Sequence, residues 1–262
     1  MMIASPIFDP MTDKIIERAK YTTTEVLDTE RTMIASARSL VGRDGFAVNQ
    51  KSADKVVADV EKRAGFKFDP EQKVVISRLT ENAGIAVMVG YAGAGKSTVM
   101  NAVRAVYEGE GRVVGGALAG KAAVGLQESA GIESRTLASW EASWKNGLRQ
   151  LGPGDVFVLD EAGMVGSAQM QRFVSAVEEA GAKLILLGDA RQLQPIEAGA
   201  AFRAIADDAG YIELTGVRRQ REEWMQNATI EFGKGIPRTR SGATSNMISY
   251  SSNLTVHRLG IL

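Results

Sequence analysis

The feature that most constrains the fold is a series of short, continuous apolar runs separated by stretches with helical character, between Asp69 and Thr215. Runs that are apolar throughout, without polar alternation, are typical of strands buried on both faces. Helices between such strands connect them as a parallel sheet. We therefore predict an α/β, doubly wound domain with helices on both faces. The predicted strands are Ile85–Gly90, Arg112–Leu118, Asp155–Asp160, Lys183–Gly188 and Tyr211–Thr215.

A small helical segment is predicted ahead of this domain, from Tyr21 to Gly65. Thr22 and Glu25 have the spacing of a capping box, and Gly42 and Gly65 indicate helix ends. The apolar residues that recur on one face are Val26, Met33, Ala37 and Leu40. The predicted domain organisation is a helical N-terminal segment over 1–66, the α/β domain over 67–216 and a last segment over 217–262. The end of that last segment, from Gly233, contains no Asp or Glu and shows no period, so we expect a basic, disordered tail.

Composition narrows the classes of function for the 262 residues. Lys+Arg and Asp+Glu balance at 31 each, so nucleic acid would have to bind in a local groove. The chain has no cysteine, which excludes a thiolate metal site and a catalytic thiol. Its single histidine, His257, argues against a His-based metal site and a Ser-His-Asp triad. No signal peptide and no run of membrane-spanning length is present. We expect a soluble, cytoplasmic protein with no membrane partner.

The strongest chemical signal is "GYAGAGKST", Gly90 to Thr98, which fits the G-x-x-x-x-G-K-[ST] phosphate loop. It follows a predicted strand and opens a predicted helix, as that motif requires. Its small residues let backbone N–H groups surround phosphate oxygens. Lys96 would reach the β- and γ-phosphates of ATP, and Ser97 would bind Mg²⁺. The alternative is a glycine-rich turn with an exposed lysine. The candidate nucleotide-binding residues in this loop are Gly90, Ala92, Gly93, Ala94, Gly95, Lys96, Ser97 and Thr98.

Two further predicted strands end in polar residues suited to hydrolysis. In "VFVLDEAGMV", Asp160 could hold Mg²⁺ through water and Glu161 could act as general base. In "LGDARQLQPIEAG", Gln192 suits a γ-phosphate sensor that changes partner after hydrolysis. The alternatives are an acidic helix start for the first segment and an ordinary connection stopped by Pro195 for the second.

Together "GYAGAGKST", "LDEAGMV", "GDARQLQP" and "LTGVRRQ" resemble, in this order, the motifs of superfamily-1 DNA helicases of the RecD-like branch. That branch includes the helicase part of conjugative relaxases of the Ti-plasmid TraA type. The resemblance covers about Tyr21 to Phe232 and implies a RecA-like fold, ATP and Mg²⁺ as cofactors, and single-stranded DNA as a partner. It also implies contact with other conjugation or DNA-processing proteins.

The resemblance adds roles for residues outside the phosphate loop. Gln72 in "FDPEQ" would read the edge of the adenine base, although Asp69, Pro70 and Gln72 also form a helix start. Arg219, in "ELTGVRRQREEW", would approach the γ-phosphate as an arginine finger. Its neighbours Arg218 and Arg221 would be solvated or lie on DNA phosphate.

Two segments resemble the family's contacts with single-stranded DNA. "ALAGKAAVGLQ" carries Leu118 and Ala119 where the family usually has Pro and Thr, which weakens the case for a hydroxyl contact. In "SRTLASW", Thr136 could meet a phosphate and Trp140 could stack on a base. The favoured alternative is that Leu137, Trp140 and Trp144, at helical spacing, belong to the core.

A helicase of this kind needs a second RecA-like domain, and no later helicase motif follows "EFGKG" at Glu231–Gly235. We therefore expect a fragment of a larger relaxase-helicase, with weak ATPase activity and no unwinding by this chain alone. The alternative is a short protein with a disordered basic tail. Catalytic roles are predicted for Lys96, Glu161, Gln192 and Arg219. The alternatives are a catalytically idle nucleotide- or DNA-binding module and a fragment of a RecD-like repair helicase. A kinase or partition ATPase is disfavoured because "GDARQLQP" has no role there.

Overall fold

The centre of the molecule is a six-stranded parallel sheet. The computed structural model describes residues 2–4, 7–8, 15–17, 20–91, 93–189 and 200–216. The sheet strands are β5 Ile85–Gly90, β6 Val113–Ala117, β7 Glu133–Thr136, β8 Val156–Asp160, β9 Lys183–Gly188 and β10 Ile212–Leu214. Their spatial order is β10-β5-β9-β8-β6-β7. The strand after the phosphate loop therefore lies away from β5, with β9 and β8 between them.

Helices connect these strands and precede them. They are α1 Thr24–Val41, α2 Gln50–Ala64, α3 Pro70–Leu79, α4 Lys96–Tyr107, α5 Gly120–Ala130, α6 Leu137–Lys145, α7 Ser167–Glu179 and α8 Ala200–Ala209. A 3-10 turn, Ala162–Met164, follows β8. Four short strands lie within the first 21 residues: β1 Met2–Ala4, β2 Ile7–Phe8, β3 Ile15–Glu17 and β4 Lys20–Tyr21. The predicted helical N-terminal segment, 1–66, thus also contains extended chain.

Both faces of the sheet are covered, as predicted from the continuous apolar runs. Alternate residues of each strand point to opposite faces, so Phe157 of β8 packs in the core with α1, α6, α7 and α8. Its neighbour Val158 packs in the second core, with α3, α4 and α5. The prediction of a doubly wound α/β domain is confirmed, because all five predicted runs contain strands. The sheet also has β7, which the sequence analysis did not predict as a strand.

The start of α1 differs from the prediction by one residue. Its N-cap is Thr23, whose Oγ1 accepts a hydrogen bond from the Val26 N–H at 3.3 Å, rather than Thr22. Val26 is 44% exposed and does not belong to the buried face, so that part of the predicted apolar face was wrong. The first turn of a helix lies at its end, where apolar spacing alone does not ensure that a partner covers it. Gly42 and Gly65 are the C-caps of α1 and α2, as predicted.

Helix α1 belongs to the core of the sheet domain. Met33, Ala37 and Leu40 are buried in the same cluster as strand residues of the sheet. At the rim of this contact the Arg38 guanidinium bonds Asp208 of α8, with Nη2 and Oδ1 2.7 Å apart. The predicted boundary at 66/67 therefore does not separate two apolar cores. In the part of the chain that the structure describes, no helix combines the length and apolarity needed to cross a bilayer.

Candidate functional site

The chemistry-bearing loops meet at the carboxyl edge of the sheet. The strand register pairs Val89 of β5 with Gly188 of β9, and Leu159 of β8 with Leu186 of β9. Because the strands are parallel, the loops that leave β5, β8 and β9 emerge at the same edge. This placement brings together the phosphate loop, the pair Asp160–Glu161 and Asp189.

The phosphate loop is shaped by backbone conformations that favour glycine. Gly93 and Gly95 have φ of 86° and 94°, in the left-handed region. Gly95 is the N-cap of α4, and no side chain of the described residues caps that helix start. The first N–H groups of α4 therefore remain available to an anion. Ala94 is buried, and its N–H donates to the Tyr91 carbonyl at 3.1 Å.

The Lys96 side chain turns back toward Gly90, at the start of the phosphate loop. Its Nζ donates to the Gly90 carbonyl at 2.6 Å. A Cβ on Gly90 would lie 3.1 Å from the lysine Cγ and Cδ, so glycine at this position leaves room for the stem. Burial lowers the pKa of the Lys96 ammonium, and the carboxylates of Asp189, Asp160 and Glu161 oppose that shift. Lys96 is thus a desolvated cation with three acidic groups in electrostatic reach.

Asp160 is the last residue of β8, and Glu161 follows it directly. Burial raises the pKa of the Asp160 carboxyl, while the hydrogen bond from the Glu161 N–H, at 2.8 Å, and the charge of Lys96 oppose that rise. Glu161 itself has φ 52° and ψ 37°, a left-handed conformation that costs a non-glycine residue free energy. The turn at Glu161 directs the chain into the 3-10 turn and places two adjacent carboxylates at the end of one strand.

The residues present at this edge fit a nucleotide with a magnesium ion. The uncapped start of α4 and Lys96 suit phosphate, and Asp160 and Ser97 offer oxygen ligands of the kind that Mg²⁺ prefers. Ser97 is exposed and Thr98 is half-buried in the first turn of α4.

Gln72 is completely buried beside the phosphate loop. The predicted helix start is confirmed: the Gln72 N–H donates to Asp69 Oδ1 at 2.8 Å, and Gln72 Oε1 accepts from the Asp69 N–H at 3.4 Å. The amide Nε2 has no hydrogen-bond partner among the described residues. A Cβ on Gly95 would lie only 2.7 Å from this nitrogen. The Gln72 amide therefore faces the loop, with its NH₂ group unsatisfied.

The candidate DNA-facing residues divide into exposed and buried groups. Leu118 and Ala119 lie exposed between β6 and α5. Thr136 is the N-cap of α6, where its Oγ1 accepts from the Ser139 N–H at 3.2 Å. Trp140 is 1% exposed, and its Nε1 donates to the Gly115 carbonyl at 2.8 Å. The core alternative for Trp140 is confirmed, and stacking of Trp140 on a base was wrong, because both its ring and its polar atom are already occupied.

Three predicted site residues, Ala92, Gln192 and Arg219, lie outside the described residues. Arg218 and Arg221 lie outside them as well.

The sequence analysis missed Glu71. Its carboxylate accepts hydrogen bonds from the backbone N–H groups of Thr215 and Gly216, at 2.7 and 2.9 Å, and from the Thr215 hydroxyl at 2.6 Å. The only signal in the sequence was an acidic residue in the first turn of a helix, which is common at helix starts.

Several known proteins are similar to this chain. A family model described as "AAA domain" matches residues 67–252. The conjugal transfer protein TraA of Rhizobium radiobacter is 50% identical over 218 residues, which are 83% of this chain and 19% of TraA. The ATP-dependent RecD2 DNA helicase of Deinococcus radiodurans is 36% identical over 182 residues, covering 68% of this chain and 25% of that protein.

A crystal structure of Pif1 helicase from Bacteroides in complex with ADP-AlF3 and ssDNA has a TM-score of 0.47 at 19% identity. The match covers 73% of this chain and 50% of that one. The chain spans about a fifth of the length of the TraA proteins that it matches, since 19% of each is covered. With a phosphate loop, paired carboxylates and a parallel sheet in one unit, and a family model over most of its length, the chain belongs to the AAA domain family.

Proposed function

We propose that this chain binds and hydrolyses ATP as a motor domain of a DNA helicase that takes part in conjugative DNA transfer. The motor domain would be residues 67–216, supported on one face by α1. Higher identity to TraA, 50%, than to RecD2, 36%, favours conjugative transfer over repair.

One observation carries the proposal. At a single edge of the sheet, the uncapped start of α4 and the buried ammonium of Lys96 lie within electrostatic reach of Asp160, Glu161 and Asp189. A cation beside an N-terminal helix dipole binds phosphate, and adjacent carboxylates supply a metal ligand and a base. A glycine-rich turn with an exposed lysine would not produce this convergence.

The proposed roles follow from where each group lies. Lys96 would leave the Gly90 carbonyl and donate to the β- and γ-phosphates. Ser97 and Asp160 would hold Mg²⁺, which offsets phosphate charge when bound. Glu161 would accept the proton of the attacking water. Partial burial of Lys96 and Asp160 strengthens their interactions, since fewer waters screen the charges.

Three further roles come from the resemblance to the helicase family. Gln192 would sense the γ-phosphate, Arg219 would stabilise charge on the transferred phosphoryl group, and Gln72 would read the adenine edge. The unsatisfied Nε2 of Gln72, beside Gly95, supports a polar ligand at that position.

Single-stranded DNA is the proposed partner polymer, together with other conjugation or DNA-processing proteins. Exposed Leu118 and Ala119 lie at the end of β6, whose Ala117 pairs with Asp160. A strand bound there would lie next to the carboxylate pair, so that DNA contact and hydrolysis could influence each other. We propose that this activity takes place in the cytoplasm.

The test is ATPase activity of the purified chain with and without single-stranded DNA, compared with Lys96→Ala and Glu161→Gln. We expect DNA-stimulated phosphate release from the wild type and a loss of about 100-fold or more in both variants. Glu161→Gln should still bind a fluorescent ATP analogue. Equal activity in all three proteins would contradict the proposal. Binding without phosphate release in the wild type would instead favour a catalytically idle nucleotide-binding module.

A further inference from the structure

Glu71 connects two parts of the molecule that the sequence keeps far apart. Its two carboxylate oxygens accept three hydrogen bonds from Thr215 and Gly216, 144 and 145 residues away. Bonds between a charged acceptor and backbone N–H groups are stronger than neutral ones. A Cβ on Gly216 would lie 3.0 Å from Glu71 Oε2, so the glycine allows this close approach. A solvated first-turn glutamate would make none of these contacts.

The two ends of this link both belong to the nucleotide edge. Glu71 directly precedes Gln72, whose amide faces Gly95 of the phosphate loop. On the other side, Thr215 and Gly216 directly follow β10, whose Leu214 pairs with Gly90, the last residue of β5. These contacts form a continuous series that begins and ends at β5. Gln72 lies beside the phosphate loop that follows β5, its neighbour Glu71 bonds the residues after β10, and β10 pairs with β5 at Gly90.

We propose that Glu71 is a positioning residue for nucleotide binding. By fastening the first turn of α3 to the end of β10, it fixes the distance between the Gln72 amide and the phosphate loop. Because this distance is fixed, one nucleotide can contact the Gln72 amide and the N-terminus of α4 at the same time. This inference rests on the proposed ATP site. It adds that Glu71, a residue outside the phosphate loop, positions the group that contacts the base of the nucleotide.

The alternative is that Glu71 only stabilises α3 by its favourable position near the helix N-terminus. In that case its replacement would lower stability without changing which nucleotide binds. A positioning role, in contrast, changes the preference between bases. The two roles therefore differ in a measurable property other than stability.

The experiment compares Glu71→Gln with Lys73→Gln in the full chain. Glutamine has the same shape, but its amide NH₂ faces a backbone N–H, so one of the contacts with Thr215 or Gly216 becomes a donor–donor conflict. Lys73 lies in the same helix and forms an ion pair with Glu61, with Nζ and Oε1 3.0 Å apart, away from these contacts. Lys73→Gln thus controls for loss of a charge in α3.

The readout is the affinity for fluorescent analogues of ADP and CDP, with thermal unfolding of each protein. We expect Glu71→Gln to weaken ADP-analogue binding about tenfold and to narrow the preference for ADP over CDP. Lys73→Gln should stay within about twofold of the wild type. Thr215→Val removes one of the three hydrogen bonds, and it should give an intermediate loss even if Glu71→Gln folds poorly.

An unchanged preference for the ADP over the CDP analogue in Glu71→Gln and Thr215→Val would overturn the inference, whether or not their affinity falls. Because binding is measured without turnover, the result is independent of hydrolysis. A wild type that binds ADP but releases no phosphate contradicts the proposed ATPase and leaves the test of Glu71 intact. A wild type that binds neither analogue overturns both proposals.

Discussion

At the scale of single residues, the ammonium of Lys96 makes nucleotide binding by the phosphate loop depend on pH. Burial lowers the pKa of Lys96 below its ordinary value of 10.5 in the nucleotide-free protein. A bound phosphate adds negative charge next to the ammonium and raises the pKa again. Binding therefore favours the protonated lysine, and affinity is fully present only at pH values below the pKa of the nucleotide-free protein.

The first prediction is that nucleotide affinity decreases as pH rises through the lowered pKa of Lys96, before an ordinary lysine would titrate. Affinity of an ADP analogue, measured from pH 7 to 10, should fall in the wild type. In Lys96→Arg, whose guanidinium stays charged over this range, the fall should be absent or much smaller. Parallel pH profiles in both proteins would show that another group controls binding.

Glu161 gives a second prediction at this scale. Its left-handed backbone costs an L-residue roughly 1–2 kcal/mol, whereas asparagine tolerates that region better. Glu161→Asn and Glu161→Gln both replace the carboxylate with an amide, so their difference isolates the backbone. We expect Glu161→Asn to be more stable than Glu161→Gln by about 1 kcal/mol, or about 2–4 °C in Tm. Equal melting temperatures would mean that the turn relaxes when the side chain changes.

At the scale of elements, β6 depends on close contacts across the sheet. A Cβ on Gly116 would lie 2.8 Å from the ring of Phe157 and 2.9 Å from Leu137. The Trp140 ring packs edge-on against Phe157, with centroids 5.6 Å apart. Helix α6 thus packs directly on β6, and the indole N–H of Trp140 donates a hydrogen bond to the Gly115 carbonyl.

The third prediction concerns this contact. Trp140→Phe leaves the Gly115 carbonyl without its donor and should lower the free energy of unfolding by about 1–3 kcal/mol. Affinity for single-stranded DNA should not change, because Trp140 is buried. Trp144→Phe is the matched control, since the Trp144 indole bonds the Arg149 carbonyl near solvent at 3.2 Å. Weaker DNA binding by a well-folded Trp140→Phe would contradict the assignment of Trp140 to the core.

The elements also show what a sequence can reveal. Strands β5, β8 and β9 were predictable because both their faces are buried, which requires continuous apolar residues. Strand β7, with the sequence ESRT, is an edge strand without a buried residue, so it carries no such pattern. Asp160 and Glu161 were predictable because they lie at the end of a recognisable strand and directly after it. The contacts of Glu71 and the direction of the Gln72 amide were not, because their partners lie in distant parts of the chain.

At the scale of the whole molecule, the two edges of the sheet have different roles. The amino edge holds Lys183, which is fully buried at the start of β9. Its Nζ donates to the carbonyls of Glu81 and Ala83 at 2.6 and 2.7 Å and lies over the rings of Phe46 and Tyr107. One side chain thus joins the loop after α1, the end of α3, α4 and the sheet.

The fourth prediction is a pH-dependent stability that Lys183 controls. Burial lowers the pKa of Lys183 to about 7, against 10.5 for an ordinary lysine. Between these values the unfolded chain binds the proton and the folded protein does not, so the free energy of unfolding rises with pH. Below the lower value both states are protonated, and the dependence ends.

The measurement is denaturant unfolding from pH 6 to 9.5, in wild type and Lys183→Met. The upper limit avoids titration of Tyr107 in the unfolded chain, since burial raises the pKa of its hydroxyl only in the folded protein. The stability difference, wild type minus variant, should increase from pH 7 upwards. A constant difference would show that Lys183 keeps its ammonium charged in the folded state through its carbonyl and ring partners.

The position of α1 has a consequence for where this protein can be divided. The region that the AAA domain family model matches begins at residue 67, after both α1 and α2. Yet Leu40 of α1 lies in the core, and its carbonyl accepts a hydrogen bond from the Gly84 N–H at 3.0 Å, directly before β5. The segment that the family model matches is therefore shorter than the segment that shares the apolar core. Excision at residue 67 would remove α1 from one core of the sheet and α2 from the other, so an independently stable domain must retain both helices.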